Sequence, residues 1–173
     1  MRLTQRCSTE IETQDVVEVT LMIRRARDED CTAIEAIVVA AYSVYIERIG
    51  KAPGPMLDDY ARRTAEGAVH VFEEADGTIA AIIVLLVKID HLLLDNVAVR
   101  PDRQGRGLGR VLIAFAEAEA RRSGFSELRL YTHVKMTENI ALYRRLGFIE
   151  TSRGHEAGYD RVFMCKRVDT IFP

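Results

Sequence analysis

The residues best suited to chemistry lie in one glycine- and arginine-rich segment, from Arg100 to Arg110. Three glycines occupy alternate positions, 105, 107 and 109, between an apolar stretch and an amphipathic one. Glycine lets the backbone bend and lets a ligand approach without a Cβ atom in the way. A helix that begins after such a turn presents free N–H groups and a partial positive charge, which together favour an anion. The segment therefore predicts a phosphate-binding turn.

Four arginines, at positions 100, 103, 106 and 110, support this interpretation, because guanidinium groups match the geometry of phosphate oxygens. A Walker loop is excluded, since Leu108-Gly109-Arg110-Val111 stands where that motif needs Gly-Lys followed by Ser or Thr. A dinucleotide-binding fingerprint would need Gly or Ala at position 110. The simpler alternative is a glycine-rich helix start whose arginines are only solvated.

The surrounding pattern predicts the elements that would position this turn. Runs of β-branched and apolar residues predict strands at 20–24, 68–73, 78–87, 92–99, 128–132 and 161–168. Asp76-Gly77, between the second and third runs, is typical of a hairpin turn. Helical spacing predicts helices near 33–41, 56–65, from 108 to a stop at Gly124, and 137–146. This order favours an α/β protein with a mixed sheet and helices on both faces.

Composition limits the class of protein. A chain of 173 residues that is 48% apolar and 29% charged is long enough for one domain with a core, and unlike a disordered protein. We expect a flexible N-terminal extension at 1–18 and a single domain at 19–173. The longest apolar run, Ile79 to Val87, is too short for a membrane helix, and a net charge of −2 gives no basic footprint for nucleic acid. Three dispersed cysteines favour a reducing cytoplasm and suit neither a disulfide framework nor a metal site.

A second motif lies downstream of the turn and consists of Asn139, Leu142-Tyr143, Leu146 and Gly147-Phe148. Together with Gln104-Gly105-Arg106-Gly107-Leu108-Gly109, it resembles the paired signatures of the GNAT superfamily of N-acetyltransferases. Those signatures are Gln/Arg-x-x-Gly-x-Gly/Ala and, later, Asn…Leu-Tyr-x-x-Leu-Gly-Phe. The resemblance implies a GNAT-like fold, with a central mixed, mostly antiparallel twisted sheet and helices on both faces.

The same resemblance implies acetyl-coenzyme A as co-substrate, no metal, and an amine acceptor that attacks directly in a ternary complex. The turn would hold the diphosphate through main-chain N–H groups, and strand 97–99 would bind the pantetheine arm and stabilise an oxyanion. One departure is that the family's asparagine usually falls where this chain has Met136. The implied cofactor-binding residues are Val97, Ala98, Val99, Arg103, Gln104, Gly105, Arg106, Gly107, Leu108, Gly109, Arg110 and Asn139.

Tyr143 matches the family's general-acid tyrosine, which would protonate the leaving thiolate. The alternative is a packing aromatic beside Leu142 and Leu146. An amine such as lysine has a pKa of about 10.4 and must lose a proton before it attacks. Asp95 is the leading candidate for the base, ahead of three other titratable residues. These are Glu138, His91 and His133.

Acceptor contacts are expected from the tyrosine-rich stretch Tyr42–Tyr60 and from a loop at Thr151–Tyr159. The tyrosines could equally pack helix ends, because a phenol is both apolar and polar. Two other functions remain open: a non-catalytic coenzyme A-binding sensor, and a binder of nucleotide phosphates. The acceptor could be a small molecule, a peptide or a protein, and the chain could form a homodimer.

Overall fold

Seven strands form one sheet within residues 22–169, the part of the chain that this computed structural model describes. The sheet order is β1-β2-β3-β4-β5-β7-β6, and only the β4–β5 pair is parallel. The predicted extension at 1–18 lies outside the described residues, and so does the start of the predicted first strand. The strands are β1 (Ile23–Arg25), β2 (Val69–Glu73), β3 (Ile79–Val87), β4 (Leu92–Val99), β5 (Glu127–His133), β6 (Ile149–Glu156) and β7 (Tyr159–Arg167).

Five α-helices cover the sheet within this range, and none of them is long and apolar enough to cross a membrane. The first and third pack on one face of the sheet, and the last two pack on the other. The mixed α/β fold with helices on both faces is therefore confirmed. The helices are α1 (Cys31–Tyr42), α2 (Ile46–Ile49), α3 (Tyr60–Ala65), α4 (Leu108–Arg122) and α5 (Thr137–Arg145).

The inner strand β3 accounts for the longest apolar run in the sequence, because helices cover both of its faces. Ile82 and Val84 pack toward α1, whereas Ile83 and Leu85 pack toward α4. All four side chains are buried. Successive side chains of a strand point to opposite faces, so a strand covered on both sides has no reason to alternate with polar residues.

The predicted hairpin between β2 and β3 is confirmed. Gly77 has a φ of +84°, which glycine adopts without a steric penalty. The Asp76 carboxylate accepts a hydrogen bond from the main-chain N–H of Thr78 at 2.9 Å. The predicted helix at 56–65 is instead divided: a 3-10 turn covers Gly54–Leu57, and α3 begins after Asp59, whose carboxylate accepts the N–H of Arg62.

Strands β4 and β5 diverge after a short paired segment. Leu92–Leu94 pair with Leu128–Leu130, and the described ladder stops there. On its other side, β4 pairs with β3 across a bulge, because Val84 opposes Asn96 while Leu85 opposes Leu94. Asp95 is therefore the extra residue, and such bulges bend a strand and increase its local twist. The divergence leaves an opening between the two strands.

The loop expected at Thr151–Tyr159 was a wrong prediction. Most of that segment belongs to β6, which pairs with β7, and the connection is a tight turn at Ala157 and Gly158, where φ is +51° and +81°. Nearly all residues of β6 are exposed because the strand forms an edge of the sheet. Exposure on both faces removes the apolar alternation by which a strand is recognised.

Candidate active site

The predicted phosphate-binding turn leads from β4 into α4. Within the described chain, the five consecutive N–H groups of residues 105–109 donate no hydrogen bond to another main-chain group. Gly105 and Gly107 have φ values of +77° and +83°, and Gly107 immediately precedes α4. A Cβ atom placed at 105, 107 or 109 would meet no atom within 4 Å. Because the turn faces open space with free donors, it fits a diphosphate group.

Four of these five residues line a cleft of about 600 Å³, here named the larger cleft. Its walls come from the end of α1, the α2 region, the end of β4, the start of α4, and α5. Of the residues implied to bind the cofactor, all except Arg106 line it. Several further lining residues were not among the implied cofactor-binding residues. These are Ala41, Tyr42, Val44, Tyr45, Arg48, Ile113, Glu138, Leu142 and Arg145.

Two of the four arginines in the turn are held by acidic neighbours. Arg103 makes a two-pronged contact with Glu74, at 2.9 and 3.0 Å, and a further contact with Asp102 at 2.7 Å. Arg100 pairs with the same Asp102 at 3.0 Å. Much of their charge is therefore compensated within the protein, and their first role is to brace the turn.

Free positive charge on the larger cleft comes from different residues. Arg110, in the first turn of α4, and Arg145, at the end of α5, both line the cleft. Neither forms an ion pair with another residue of the 22–169 range, whereas Arg48 pairs with Glu138 at 2.7 Å. A helix start and two unpaired guanidinium groups together make this cleft favourable for a polyanion.

The edge of β4 next to the opening carries main-chain groups that β3 does not use. The N–H of Arg100 donates to Ala80 of β3 at 2.9 Å, and donors alternate along an antiparallel strand. The N–H groups of Val97 and Val99 therefore point away from β3, while that of Ala98 points toward it. The carbonyl of Val99 accepts from the Gln104 side chain at 3.1 Å.

A second cleft, of about 250 Å³ and here named the smaller cleft, lies on the other side of this edge. Strands β4, β5 and β7, the α2–α3 connection and the start of α5 contribute to it. The two clefts share lining from Tyr42, Val97, Asn139 and Tyr143. A molecule in one cleft can thus meet a molecule in the other at these four residues.

Tyr143 lies at this junction, in α5. Its ring is buried and meets Phe148 edge-on, with ring centroids 5.8 Å apart. Within residues 22–169 its hydroxyl makes no hydrogen bond, unlike those of Tyr42 and Tyr60. Burial, and to a smaller extent the nearby Tyr45, raises the pKa of Tyr143 to about 12. The phenol is therefore protonated at neutral pH with its donor free.

Asp95 lines the smaller cleft at the bulge of β4. Its carboxylate accepts a hydrogen bond from the Tyr131 hydroxyl of β5, and the Arg63 guanidinium is 4.0 Å away. This contact occupies the position at which the β4–β5 ladder would have continued, so a side-chain bridge replaces a main-chain pair. The Asp95 side chain is only 12% exposed.

His133 also lines the smaller cleft, but a hydrogen bond fixes which ring nitrogen carries its proton. The main-chain N–H of Lys135 donates to its Nδ1 at 3.1 Å, so the neutral ring carries its proton on Nε2. Burial lowers the pKa of His133 below its usual value. Accepting another proton would cost the bond from Lys135.

The two remaining candidates for the base lie elsewhere. Glu138 lines the larger cleft, and its bond from Arg48 is the main reason that its pKa is lowered. His91 lines neither of the two clefts. It is bonded to Asp90 at 2.6 Å, at the connection between β3 and β4.

The asparagine of the second motif touches both clefts. The Tyr45 hydroxyl lies 3.5 Å from the side-chain oxygen of Asn139, a long contact, so this amide has spare hydrogen-bonding capacity. Met136, where the family's asparagine usually falls, is buried and lines the smaller cleft. Among residues 22–169 no group of three His, Cys, Asp or Glu side chains could hold a metal ion.

Tyrosines of the stretch Tyr42–Tyr60 take part in packing and also reach the clefts, whereas their contact with the acceptor stays a prediction. Tyr42 and Tyr60 are buried and bonded to the Asn96 side chain of β4, at 2.6 and 2.8 Å. Tyr42 nevertheless also lines both clefts. Sequence reasoning missed Asn96 and Tyr131, although each occupies an alternating position on a predicted strand.

The chain belongs to the GNAT acetyltransferase family, whose sequence profile matches residues 37–148. It is 38% identical over 91 residues to the [Ribosomal protein bS18]-alanine N-acetyltransferase of Salmonella typhimurium, covering 47% of this chain and 62% of that protein. It is 33% identical over 98 residues to the aminoglycoside N(6')-acetyltransferase type 1 of Stenotrophomonas maltophilia, covering 51% and 64%. The match therefore spans less than two thirds of either relative.

Solved structures share the fold over a larger part of the chain. The yncA protein of Salmonella typhimurium, solved with its cofactor acetyl-CoA, is 27% identical with a TM-score of 0.63, covering 85% of this chain and 93% of that one. The PaiA N-acetyltransferase of Thermoplasma acidophilum, solved with coenzyme A, has a TM-score of 0.70 at 18% identity, covering 84% and 97%. At that identity the second likeness concerns the fold alone.

Proposed function

We propose that this protein is an N-acetyltransferase that transfers the acetyl group of acetyl-coenzyme A to an amine by direct attack in a ternary complex. The observation that carries the proposal is the meeting of two clefts at Val97 and Tyr143, with free N–H groups at residues 105–109, four of which line the larger cleft. Membership of the GNAT family and the yncA structure with acetyl-CoA support the identity of the co-substrate.

The larger cleft would hold acetyl-coenzyme A, which supplies an acetyl group activated as a thioester. The N–H groups of residues 105–109 would bind its diphosphate, and Arg110 and Arg145 would add positive charge. The outward N–H groups of Val97 and Val99 would bind the pantetheine arm. A donor at Val97 is also suited to polarise the acetyl carbonyl, because it is fixed by the strand before reaction.

Tyr143 is proposed to donate its hydroxyl proton toward the departing sulfur. An ordinary thiol has a pKa of about 8.5, so complete transfer from a phenol whose pKa is about 12 would be uphill by about 5 kcal/mol. Burial of the sulfur in the same cleft raises the pKa of the thiol and reduces this difference. Tyr143 would thus first donate a hydrogen bond to the sulfur and then transfer its proton as the sulfur departs.

Asp95 is proposed to take the proton of the acceptor amine. It lines the cleft that remains for the acceptor, and one of its oxygens is already occupied by Tyr131. His133 is less suitable because its Nδ1 is occupied by the N–H of Lys135. Glu138 and His91 lie outside the smaller cleft.

Calorimetry with acetyl-coenzyme A, followed by an amine panel with release of free coenzyme A as the readout, tests the proposal. We expect saturable binding and turnover with at least one class of amine. Absence of binding would refute the proposal. Binding without turnover on any amine would favour the coenzyme A sensor.

A further inference from the structure

The smaller cleft is lined by two opposite charges that contact the same aromatic ring. The Tyr131 hydroxyl donates a hydrogen bond to the Asp95 carboxylate, and the Arg161 guanidinium lies over the Tyr131 ring, 3.9 Å from its centroid. All three residues line the cleft. The phenol ring of Tyr131 thus separates a carboxylate from a guanidinium, and both groups line the smaller cleft.

Arg161 is poorly compensated within the described chain. Its side chain is only 16% exposed, and its one ionic partner there is Glu156, whose side chain is 59% exposed. An ion pair with a solvated carboxylate contributes little, since water competes for the carboxylate. The remaining guanidinium nitrogens make no hydrogen bond within residues 22–169, so they are available to an anion.

The other two charged residues on the cleft, Arg63 and Asp58, pair with each other, and the Arg63 guanidinium also lies 4.0 Å from Asp95. Arg63 contacts Asp58 at 3.0 Å, and both side chains are 20% exposed. A matched pair of this kind offers no net charge to a ligand. Selection by charge therefore falls to Asp95 and Arg161.

The cleft is also small, and contacts near Tyr159 fix part of its wall. Its volume of about 250 Å³ lies below the range of about 300–1,000 Å³ for pockets that bind drug-sized ligands. The Tyr159 hydroxyl donates to the carbonyl of Ala52 at 2.7 Å, and the Lys51 ammonium donates to the carbonyl of Gly158. These contacts join the segment after α2 to the β6–β7 turn.

We propose that the acceptor is a small α-amino acid, with its amino group at Asp95 and its carboxylate at Arg161. This inference rests on the proposed N-acetyltransferase function. A C–N bond would form as the C–S bond of the thioester breaks. The ammonium group of the acceptor gives one proton to Asp95 before the nitrogen attacks. The departing sulfur takes a proton from Tyr143, and the second proton lost by the nitrogen restores the Tyr143 hydroxyl. The products are an N-acetyl amino acid and free coenzyme A. Apolar lining from Ile49 and Leu57 favours an uncharged side chain.

The test compares acceptors that differ only in the carboxylate. The panel contains L-alanine, L-leucine and L-methionine, and for each of them the corresponding amide and the amine that lacks the carboxyl group. A tripeptide with alanine at its N-terminus is also included. We expect kcat/KM for at least one free amino acid to exceed that of its amide by about 10- to 100-fold, as a charge-assisted contact implies.

Variants then assign the preference to Arg161. We expect Arg161→Gln to raise KM for the amino acid by about tenfold or more, to change kcat less and to remove the preference over the amide. Arg161→Lys keeps the charge without the planar fork and should retain part of the preference. Arg153→Gln, an exposed arginine on the same β-hairpin, is the matched control and should leave KM unchanged.

Two results would overturn the inference while the proposed function stands: equal rates on amino acids and their amides, or a preference unchanged in Arg161→Gln. Acetylation of the tripeptide alone would do the same and would indicate a peptide acceptor. If Arg161→Gln fails to fold, Arg161→Lys and the wild-type preference still decide. A wild-type protein that binds no acetyl-coenzyme A would instead refute the proposed function, and this inference with it.

Discussion

Individual residues at the junction of the clefts differ mainly in whether their polar atoms are already bonded. The Tyr42 and Tyr60 hydroxyls are used by the fold, whereas the Tyr143 hydroxyl makes no hydrogen bond within residues 22–169. All three rings are buried. Tyr143 lines both clefts and its hydroxyl has no partner among the described residues, and this is why Tyr143 is the phenol to test.

Replacing Tyr143 by phenylalanine removes the donor and keeps the ring packing on Phe148. We expect kcat to fall by about 100-fold or more, which is the usual contribution of a general acid, with affinity for acetyl-coenzyme A within about twofold. Coenzyme A release and calorimetry measure the two quantities. Tyr45→Phe, a neighbouring phenol whose contact with Asn139 is 3.5 Å long, is the control. An unchanged kcat in Tyr143→Phe would contradict the assignment.

His70 gives a prediction about pH. Its ring is buried against Phe115, with centroids 5.0 Å apart, and its Nδ1 has no partner among the described residues. Burial lowers the pKa of His70 below the value of about 6.5 expected in the unfolded chain. The unfolded state therefore binds the proton more readily, so stability is lost as pH falls below about 6.5.

Thermal unfolding at pH 7.5 and pH 5.5 measures this effect. We expect His70→Leu to reduce the loss of Tm between the two pH values, because the variant has no proton to bind there. His155→Gln, an exposed histidine bonded to Asp160, should show the wild-type loss. If Tm falls as much in His70→Leu as in the wild type, groups other than His70 cause the loss of stability at low pH.

At the scale of elements, α4 carries glycines of similar geometry at both ends. Gly107 precedes the helix with a φ of +83°, and Gly124 follows it with a φ of +77°. A Cβ atom at either position would meet nothing within 4 Å. Substitution by alanine at the two positions thus imposes the same kind of strain, about 1–2 kcal/mol. Only the first is part of the candidate phosphate site.

This symmetry gives a controlled test of the phosphate turn. Gly107→Ala and Gly124→Ala should lower the free energy of unfolding by similar amounts, measured by urea titration. Only Gly107→Ala should weaken acetyl-coenzyme A binding, by about tenfold or more, because a change in backbone angle misdirects the N–H groups of 105–109. Equal affinities in the two variants would argue against the turn as the cofactor site.

For the molecule as a whole, one buried polar network ties the first helical face to the sheet. Asn96 of β4 bonds Tyr42 at the end of α1 and Tyr60 at the start of α3. Tyr60 also donates to the carbonyl of Pro55 at 2.8 Å, which fixes the segment before α3. The wall of the smaller cleft and the core are therefore stabilised by the same contacts.

Asn96→Ala should cost about 1–3 kcal/mol in unfolding free energy, because it leaves buried hydroxyls with fewer partners. Chemical denaturation provides the measurement. The same substitution at Asn139, which is half-buried and makes only long contacts at 3.5 and 3.7 Å, should cost less than about 0.5 kcal/mol. Similar losses in the two variants would contradict this account. The cytoplasmic location and the homodimer stay predictions.

The sequence by itself determined the elements whose signals are local. The glycine-rich turn, the Asp-Gly hairpin and the apolar run of β3 each depend on neighbouring residues, and two motifs in order indicated the GNAT family. The edge strand β6 gave no such signal, because it buries neither face. Only the tertiary structure decided which arginines are neutralised, such as Arg103 by Glu74, and that Tyr131 bridges to Asp95. These pairings join residues from different strands or distant turns, and burial and charge compensation depend on which surfaces the folded chain brings together.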